Sequence, residues 1–361
     1  MLKSHKTRRK ATTATISTIA TTAIGSALSA TDIRLAQLHA WLAQSCFKRA
    51  FTLAPASADA SFRRYFRVTI DGKTFIAMDA PPPQEDCRPF VQVAALMREA
   101  GLNVPQVVAQ DIERGFLLLS DLGNTTYLNG FTADNPDSLF SDAIDALILW
   151  QIASRPGALP PYDAALLQRE VDLFPEWYVG KHLQTSFTPM QQAVFTATSK
   201  MLIDAASAQP KVYVHRDYMP RNLMMSTPNP GVLDFQDAVY GPITYDVASL
   251  FRDAFVSWPE VRELDWTIRY WERAKAAGLP VNADFGAFWR DLEWMGLQRH
   301  IKVLGIFARI NYRDGKPHYL KDTPRFIQYA RRVATRYREL GPLANLLDEL
   351  EGRAQQIGYT F

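Results

Sequence analysis

The sequence predicts an α+β fold of two lobes, a small antiparallel sheet lobe followed by a larger helical one. Three observations predict it. β-Branched and aromatic runs crowd the first third of the chain around an Asp71-Gly72 turn signal. Apolar residues spaced three and four apart dominate the chain after Asp121. The composition is that of an ordered globular chain: 361 residues, 47% hydrophobic and 21% charged, enough for about two domains by the usual length prior. Disorder, collagen and fibrous repeats are excluded for most of it. Cys46 and Cys87 form no CxxC pair and the histidines show no HExxH or HxxxH spacing, which removes disulfide-scaffold, thiol and zinc-site readings.

The elements follow in order. Residues 32–47 carry Ile33, Leu35, Leu38, Trp41 and Leu42 at helical spacing behind a Thr31 or Asp32 cap. Strands at 65–70 and 74–78 flank Asp71-Gly72-Lys73 as a hairpin. A helix over 88–100 stops at Gly101, and short strands follow at 107–110 and 116–119. After a polar link at 120–124, helices are predicted at 138–153, 164–182, 189–206, 245–255, 259–277 and 285–310. Brief strands at 211–214 and 232–233 interrupt them and flank a polar loop. The organisation is therefore a tail over 1–30, a sheet lobe over 31–120 and a helical lobe over 121–361. No internal repeat is evident.

The polar loop carries the chemistry. It reads Val214-His215-Arg216-Asp217-Tyr218-Met219-Pro220-Arg221-Asn222, followed by Val232-Leu233-Asp234-Phe235-Gln236-Asp237. It matches the H-R-D-x-x-x-x-N loop and D-F element of kinase-type phosphotransferases, with Asp234 twelve residues after Asn222. Phosphoryl transfer asks a protein to place the acceptor oxygen and to neutralise phosphate charge. Asp217 is the candidate base, and Asn222 and Asp234 are hard oxygen ligands suited to Mg²⁺. Capping or turn roles fit Asn222 or Asp237 singly but fit the ensemble badly.

At these residues the chain resembles the aminoglycoside and choline phosphotransferase superfamily, which is similar to the protein-kinase fold, and the likeness runs through most of 45–340. More narrowly, Ser61-Phe62-Arg63-Arg64-Tyr65-Phe66-Arg67-Val68, Met78-Asp79-Ala80-Pro81-Pro82, Gly115-Phe116-Leu117-Leu118-Leu119-Ser120-Asp121-Leu122-Gly123, Asp172-Leu173-Phe174-Pro175-Glu176-Trp177-Tyr178 and 298–307 are similar to the anomeric N-acetylmuramate/N-acetylglucosamine kinases of cell-wall recycling. The resemblance implies ATP- and Mg²⁺-dependent phosphorylation of a sugar C1 hydroxyl. A separate uridylyltransferase would take the product onward. It also implies an apolar purine slot walled by Ile76, Leu119, Ser120, Asp121 and Leu122, with Leu233 beneath the base. For the sugar, Glu176, Trp177, Arg299 and Lys302 on the helical part are the candidates.

The pattern departs from that family in two places. The glycine-rich flap is replaced by Ala58-Asp59-Ala60-Ser61, and Met78 takes the position of the usual third-strand lysine. Arg63 and Arg64, with Arg67 close by, are therefore expected to supply the phosphate contact, with Ser61 in the flap. The acid that would pair with this cation is open among Glu85, Asp86 and Glu99. Phosphorylation of another small hydroxyl compound, such as an aminoglycoside or choline, is one alternative. A catalytically silent nucleotide-binding regulator is another.

Charge excludes a nucleic-acid surface. Five of the 40 basic residues fall within the first ten positions, and no acid precedes Asp32, so the remainder carries 35 basic against 37 acidic side chains. The uncharged Thr/Ala/Ile stretch at 11–30 is too diluted for a membrane span. A disordered extension and a targeting segment both fit it. Use of cytosolic nucleotide favours the first, and a cytoplasmic location.

Overall fold

The computed structural model describes residues 32–57 and 62–352. The expectations for the tail and for the flap at 58–61, Ser61 included, lie outside them. The chain divides into two units, one ending at Thr52 and one beginning at Leu53. In the first, α1 (Ile33–Trp41) is capped by Asp32, whose Oδ1 accepts from the Leu35 amide at 3.0 Å, and runs on into a π-helical turn, Leu42–Cys46.

The second unit holds a five-stranded sheet in the order β1-β2-β3-β5-β4. Its members are β1 (Thr52–Ser57), β2 (Arg64–Ile70), β3 (Lys73–Asp79), then, after α2 (Arg88–Glu99), β4 (Val107–Asp111) and β5 (Phe116–Ser120). The β2–β3 hairpin forms because Ile70 faces Lys73 across Asp71 and Gly72, both at positive φ (49° and 74°), as the favoured two-residue turn demands. Helix α2 buries Phe90, Val93, Ala94 and Met97, a stripe at three-to-four spacing, and ends before Gly101 at φ 86°. Met78 is fully buried opposite Tyr65 and Leu117. It belongs to the core, where an unpaired ammonium would be penalised by desolvation.

Helices follow: α3 (Tyr127–Gly130), α4 (Pro136–Ile152), α5 (Ala164–Val171) and α6 (Pro189–Ala208). The single helix expected over 164–182 is interrupted. Pro175 lacks an amide donor, and beyond α5 the chain re-forms as a π-helical segment, Phe174–His182. Then come β6 (Lys211–Val214), β7 (Leu223–Met224), β8 (Gly231–Val232) and β9 (Val239–Pro242), paired as two antiparallel ribbons, β6 with β9 and β7 with β8. Five α-helices close the described chain: α7 (Tyr245–Phe251), α8 (Glu260–Ala276) and the 30-residue α9 (Phe285–Asp314), followed, past the expected elements, by α10 (Thr323–Arg336) and α11 (Gly341–Leu350).

One apolar core runs from Met78, Leu117 and Leu119 of the sheet through α2 and α4 to Tyr213, Phe235 and Trp266. The sheet and helices thus share burial, although the sequence pattern reads them as separate lobes. A second core, including Phe174, Leu202, Ile301, Phe326 and Leu343, packs around α9. Gly305 permits this: a Cβ there would lie 2.4 Å from the Leu173 carbonyl carbon. The fold is α+β and kinase-like.

Candidate active site

Strand β6 delivers His215 into the interior, and the loop after it is fixed by backbone donors. The amides of His215 and Arg216 donate to Asp246 Oδ2 and Oδ1, at 2.7 and 3.0 Å. Arg216 adopts φ 76°, a left-handed conformation that costs a non-glycine residue about 1–3 kcal/mol and persists only where its surroundings enforce it. Here Asp246 grips its backbone and Glu170 its guanidinium. His215 is buried and bridges the two halves of the motif. Its Nδ1 accepts from the Asp217 amide at 3.2 Å, and its Nε2–H donates to the Leu233 carbonyl at 3.0 Å. Burial pushes its pKa down to about 4, so the ring stays neutral with that tautomer fixed. Asn222 Nδ2 donates to the Asp217 carbonyl at 2.9 Å, and the Leu233 amide donates to the Asn222 carbonyl at 2.9 Å. Asp217, Asn222 and Asp234 are thereby brought together by one hydrogen-bonded frame, with Asp234 itself at φ 60°.

Two cavities meet along this frame. One of about 560 Å³ is lined by Ile76, Leu119, Ser120, Asp121, Leu122 and Leu233, the six residues expected to wall a purine slot. The other, about 380 Å³, is lined by Asp217, Arg299 and Lys302, with Val303, Ile306 and Phe307 on its apolar side. Arg221, Asn222, Asp234, Phe255 and Tyr319 line both. Glu176 and Trp177 line neither: they lie on the π-helical segment, where Trp177 packs on the second core and the Glu176 charge acts on Arg309. Phe255, Tyr319, Glu170 and Asp246 have no motif around them, and the sequence pattern gives no sign of them; Arg221 lies inside the quoted loop without a role of its own in it.

The model of the phosphotransferase enzyme family matches residues 52–281. An N-acetylmuramate/N-acetylglucosamine kinase of Pseudomonas putida is 57% identical over 334 residues, covering 90% of this chain and 98% of that protein. One of Pseudomonas aeruginosa is 52% identical over 335 residues, covering 90% and 99%. The chain belongs to the phosphotransferase enzyme family. Among solved structures, an ADP-bound aminoglycoside phosphotransferase superposes with a TM-score of 0.56 at 13% identity, over 82% of this chain and 98% of that one.

Without a third-strand lysine, this phosphotransferase carries an arginine–glutamate pair just before β2. Arg63 Nε pairs with Glu85 Oε2 at 3.0 Å, both side chains largely buried. Burial works against the Arg63 charge, but Tyr65, Glu85, Asp237 and Asp234 outweigh it and raise its pKa. Of the three acids left open by sequence, Glu85 is the one on Arg63; Asp86 pairs with Arg88 and Glu99 with Arg155. Arg64 turns to the buried Asp79 at 2.5 Å, and Arg67 to Asp121 at 2.7 Å. Neither Arg63 nor Arg64 lines the larger cavity, whereas Arg67 does.

The donor set suits a hard cation. Because Asn222 spends Nδ2 on the Asp217 carbonyl, its Oδ1 is the atom left to face a metal, and Asp234 adds a carboxylate on the same shared wall. Among the described residues no group of three or more His, Cys, Asp or Glu side chains is arranged to hold an ion. Further ligands would come from phosphate and water, as Mg²⁺ sites on nucleotides use. Behind Asp217 lies a charged network. Glu170 accepts from Arg216, from the Tyr162 hydroxyl and from Lys302 at 2.9 Å, and Lys302 also donates to the Tyr245 hydroxyl at 2.9 Å. Burial would raise the Glu170 carboxyl, but the Lys302 and Arg216 charges hold it below its usual range.

Proposed function

We propose that this chain is an ATP-dependent amino-sugar 1-kinase, transferring a γ-phosphoryl group to the anomeric C1 hydroxyl of N-acetylmuramate and N-acetylglucosamine. One observation carries the reading: Asp217 lines only the smaller cavity, while Asn222 and Asp234 line both. A nucleotide in the larger cavity would put its terminal phosphate at the shared wall. There it meets an acceptor hydroxyl held by Asp217 on the other side. The identities of the sugars rest on the relatives named above, which match over nearly their whole lengths.

In this reading Ile76, Leu119 and Leu233 sandwich the purine, and the backbone at Ser120–Leu122 reads its edge. Arg63, oriented by Glu85, contacts phosphate. Mg²⁺, when bound at Asn222 and Asp234, would offset charge on the phosphate oxygens. Asp217 orients the C1 hydroxyl and accepts its proton, a task eased because an anomeric hydroxyl is more acidic than an ordinary alcohol. Phe255, Phe307 and Tyr319, with ring centroids 5.2–6.5 Å apart, offer the apolar face against which a pyranose packs. The sugar 1-phosphate so formed is a substrate for a uridylyltransferase. The proposed use of ATP favours a cytoplasmic location for the enzyme.

Phosphorus NMR of the product of each sugar tests the position of transfer, with coupling to the anomeric proton expected. A phosphate at another hydroxyl would overturn it. Asp217→Asn should lower kcat by about 10²- to 10⁴-fold for both sugars; retained turnover would remove Asp217 as base.

A further inference from the structure

We propose that Arg299 is the specificity-determining residue of the smaller cavity and that it binds the carboxylate that N-acetylmuramate carries and N-acetylglucosamine lacks. The proposal rests on the sugar-kinase reading and deepens it. Arg299 lies on α9, is 2% exposed and lines the cavity that holds Asp217. Its Nη1 is buried without a hydrogen-bond partner among the described residues. A guanidinium presents five N–H donors in a fixed fork, and a buried one left unpaired is an exception that asks for a partner.

The neighbouring groups do not supply that partner. Of the other cations of this wall, Arg216 and Lys302 are both committed to Glu170 and Arg221 lies over the Phe255 ring at 4.8 Å. Two buried carboxylates feel the Arg299 charge, Asp246 and Asp253, yet each is turned to backbone amides: Asp246 to His215 and Arg216, Asp253 to Ala254 and Phe255. Neither forms an ion pair with Arg299 among the described residues.

Charge in the cavity points the same way. The loop side contributes Asp217, Asp234 and Asp237 together with Arg216, which is held by Glu170, and Arg221, which lies over the Phe255 ring, while α9 contributes Arg299 and Lys302. A sugar whose C1 hydroxyl rests on Asp217 presents its O3 side two ring bonds away, and in N-acetylmuramate that oxygen bears a lactyl carboxylate. A planar carboxylate matches the guanidinium fork bidentately, whereas a bare O3 hydroxyl offers a single neutral acceptor.

The test compares kcat/KM for the two sugars in the unaltered enzyme, in Arg299→Met and in Arg299→Lys. The ratio of N-acetylmuramate to N-acetylglucosamine should fall about 10- to 100-fold in Arg299→Met, the range for a hydrogen bond to a charged group, and partly recover in Arg299→Lys. A second measurement needs no variant: the unaltered enzyme should disfavour the methyl ester of N-acetylmuramate against the acid by a similar factor. An unchanged ratio in Arg299→Met, or equal turnover of acid and ester, would overturn the proposal. Failure of the underlying reading looks different, since the unaltered chain would then phosphorylate neither sugar.

Discussion

The two cavities share a wall but manage charge by opposite means. At and just before β2, whose Arg67 lines the larger one, three arginines are matched with separate acids: Arg63 with Glu85, Arg64 with Asp79, Arg67 with Asp121. Around the smaller one, a single carboxylate, Glu170, takes Arg216, Lys302 and Tyr162 at once and is 5% exposed. The first arrangement divides charge into pairs that can be tuned one at a time. The second concentrates it, so that the geometry of the Asp217 loop and the charge state of α9 depend on one group.

The largest effect should therefore come from Glu170. Glu170→Ala leaves two cations buried without their anion, a loss on the order of 3–5 kcal/mol by analogy with other broken buried pairs. Urea denaturation of the variant measures it. A cost below about 1 kcal/mol would show that water reaches Arg216 and Lys302, and the contrast between the two cavities would collapse.

Arg63→Leu sharpens the contrast from the other side. Loss of a charge-assisted phosphate contact should raise the KM for ATP about 10- to 100-fold. Glu85→Gln should move it in the same direction by less, because Glu85 orients Arg63 without touching nucleotide. Steady-state kinetics with saturating sugar checks both. An unchanged ATP KM in Arg63→Leu would remove it from the nucleotide site and leave Arg67, which lines the cavity, as the nearer cation.

What the sequence made legible divides along similar lines. The loop from His215 to Asp234 is contiguous enough that spacing alone exposes it, whereas the six residues that line the larger cavity as expected were named from the family resemblance. Glu170 and Asp246 were invisible for a physical reason. Each reaches the loop across tens of residues, 46 between Glu170 and Arg216 and 31 between Asp246 and His215, and nothing local marks a carboxylate as buried. Trp177 drew attention as an aromatic beside polar groups, yet the π-helical turn after Pro175 carries it to the second core, and Phe255 and Tyr319 line the cavity instead. Helix α10 is a different case: its buried Phe326, Ile327, Ala330 and Val333 keep helical spacing, so it was readable and simply lay past the motifs. Arg299 was legible as a charge on an apolar helix, but its lack of a partner is a property of packing.

The smallest effect, taken per unit of pH, and the one that probes the loop's support most directly, is in pH. Burial pushes Asp246 up to about 7 from 3.8, with the Asp217 charge adding to the rise, while the amides of His215 and Arg216 and the Arg299 charge oppose it. A raised carboxyl contributes stability that is fully present below about 3.8 and is lost as pH rises through about 7. His215 acts in reverse: burial lowers it to about 4 from 6.5 against the pull of Asp217, Asp237 and the Leu233 carbonyl, so its contribution is present above 6.5 and lost as pH falls through about 4. Between those limits the two nearly cancel, each changing by roughly 1 kcal/mol per pH unit. Asp246→Asn removes one and keeps the other. Relative to the unaltered protein, its stability should then fall by roughly 1 kcal/mol for each unit that pH is lowered from 7 toward 4, read from urea midpoints at constant m-value. The constant penalty of losing one amide acceptor does not enter, because only the slope is compared. A difference that does not vary with pH would mean that the two amide donors, and not burial, set the state of Asp246, and the loop would then rest on a permanent anion.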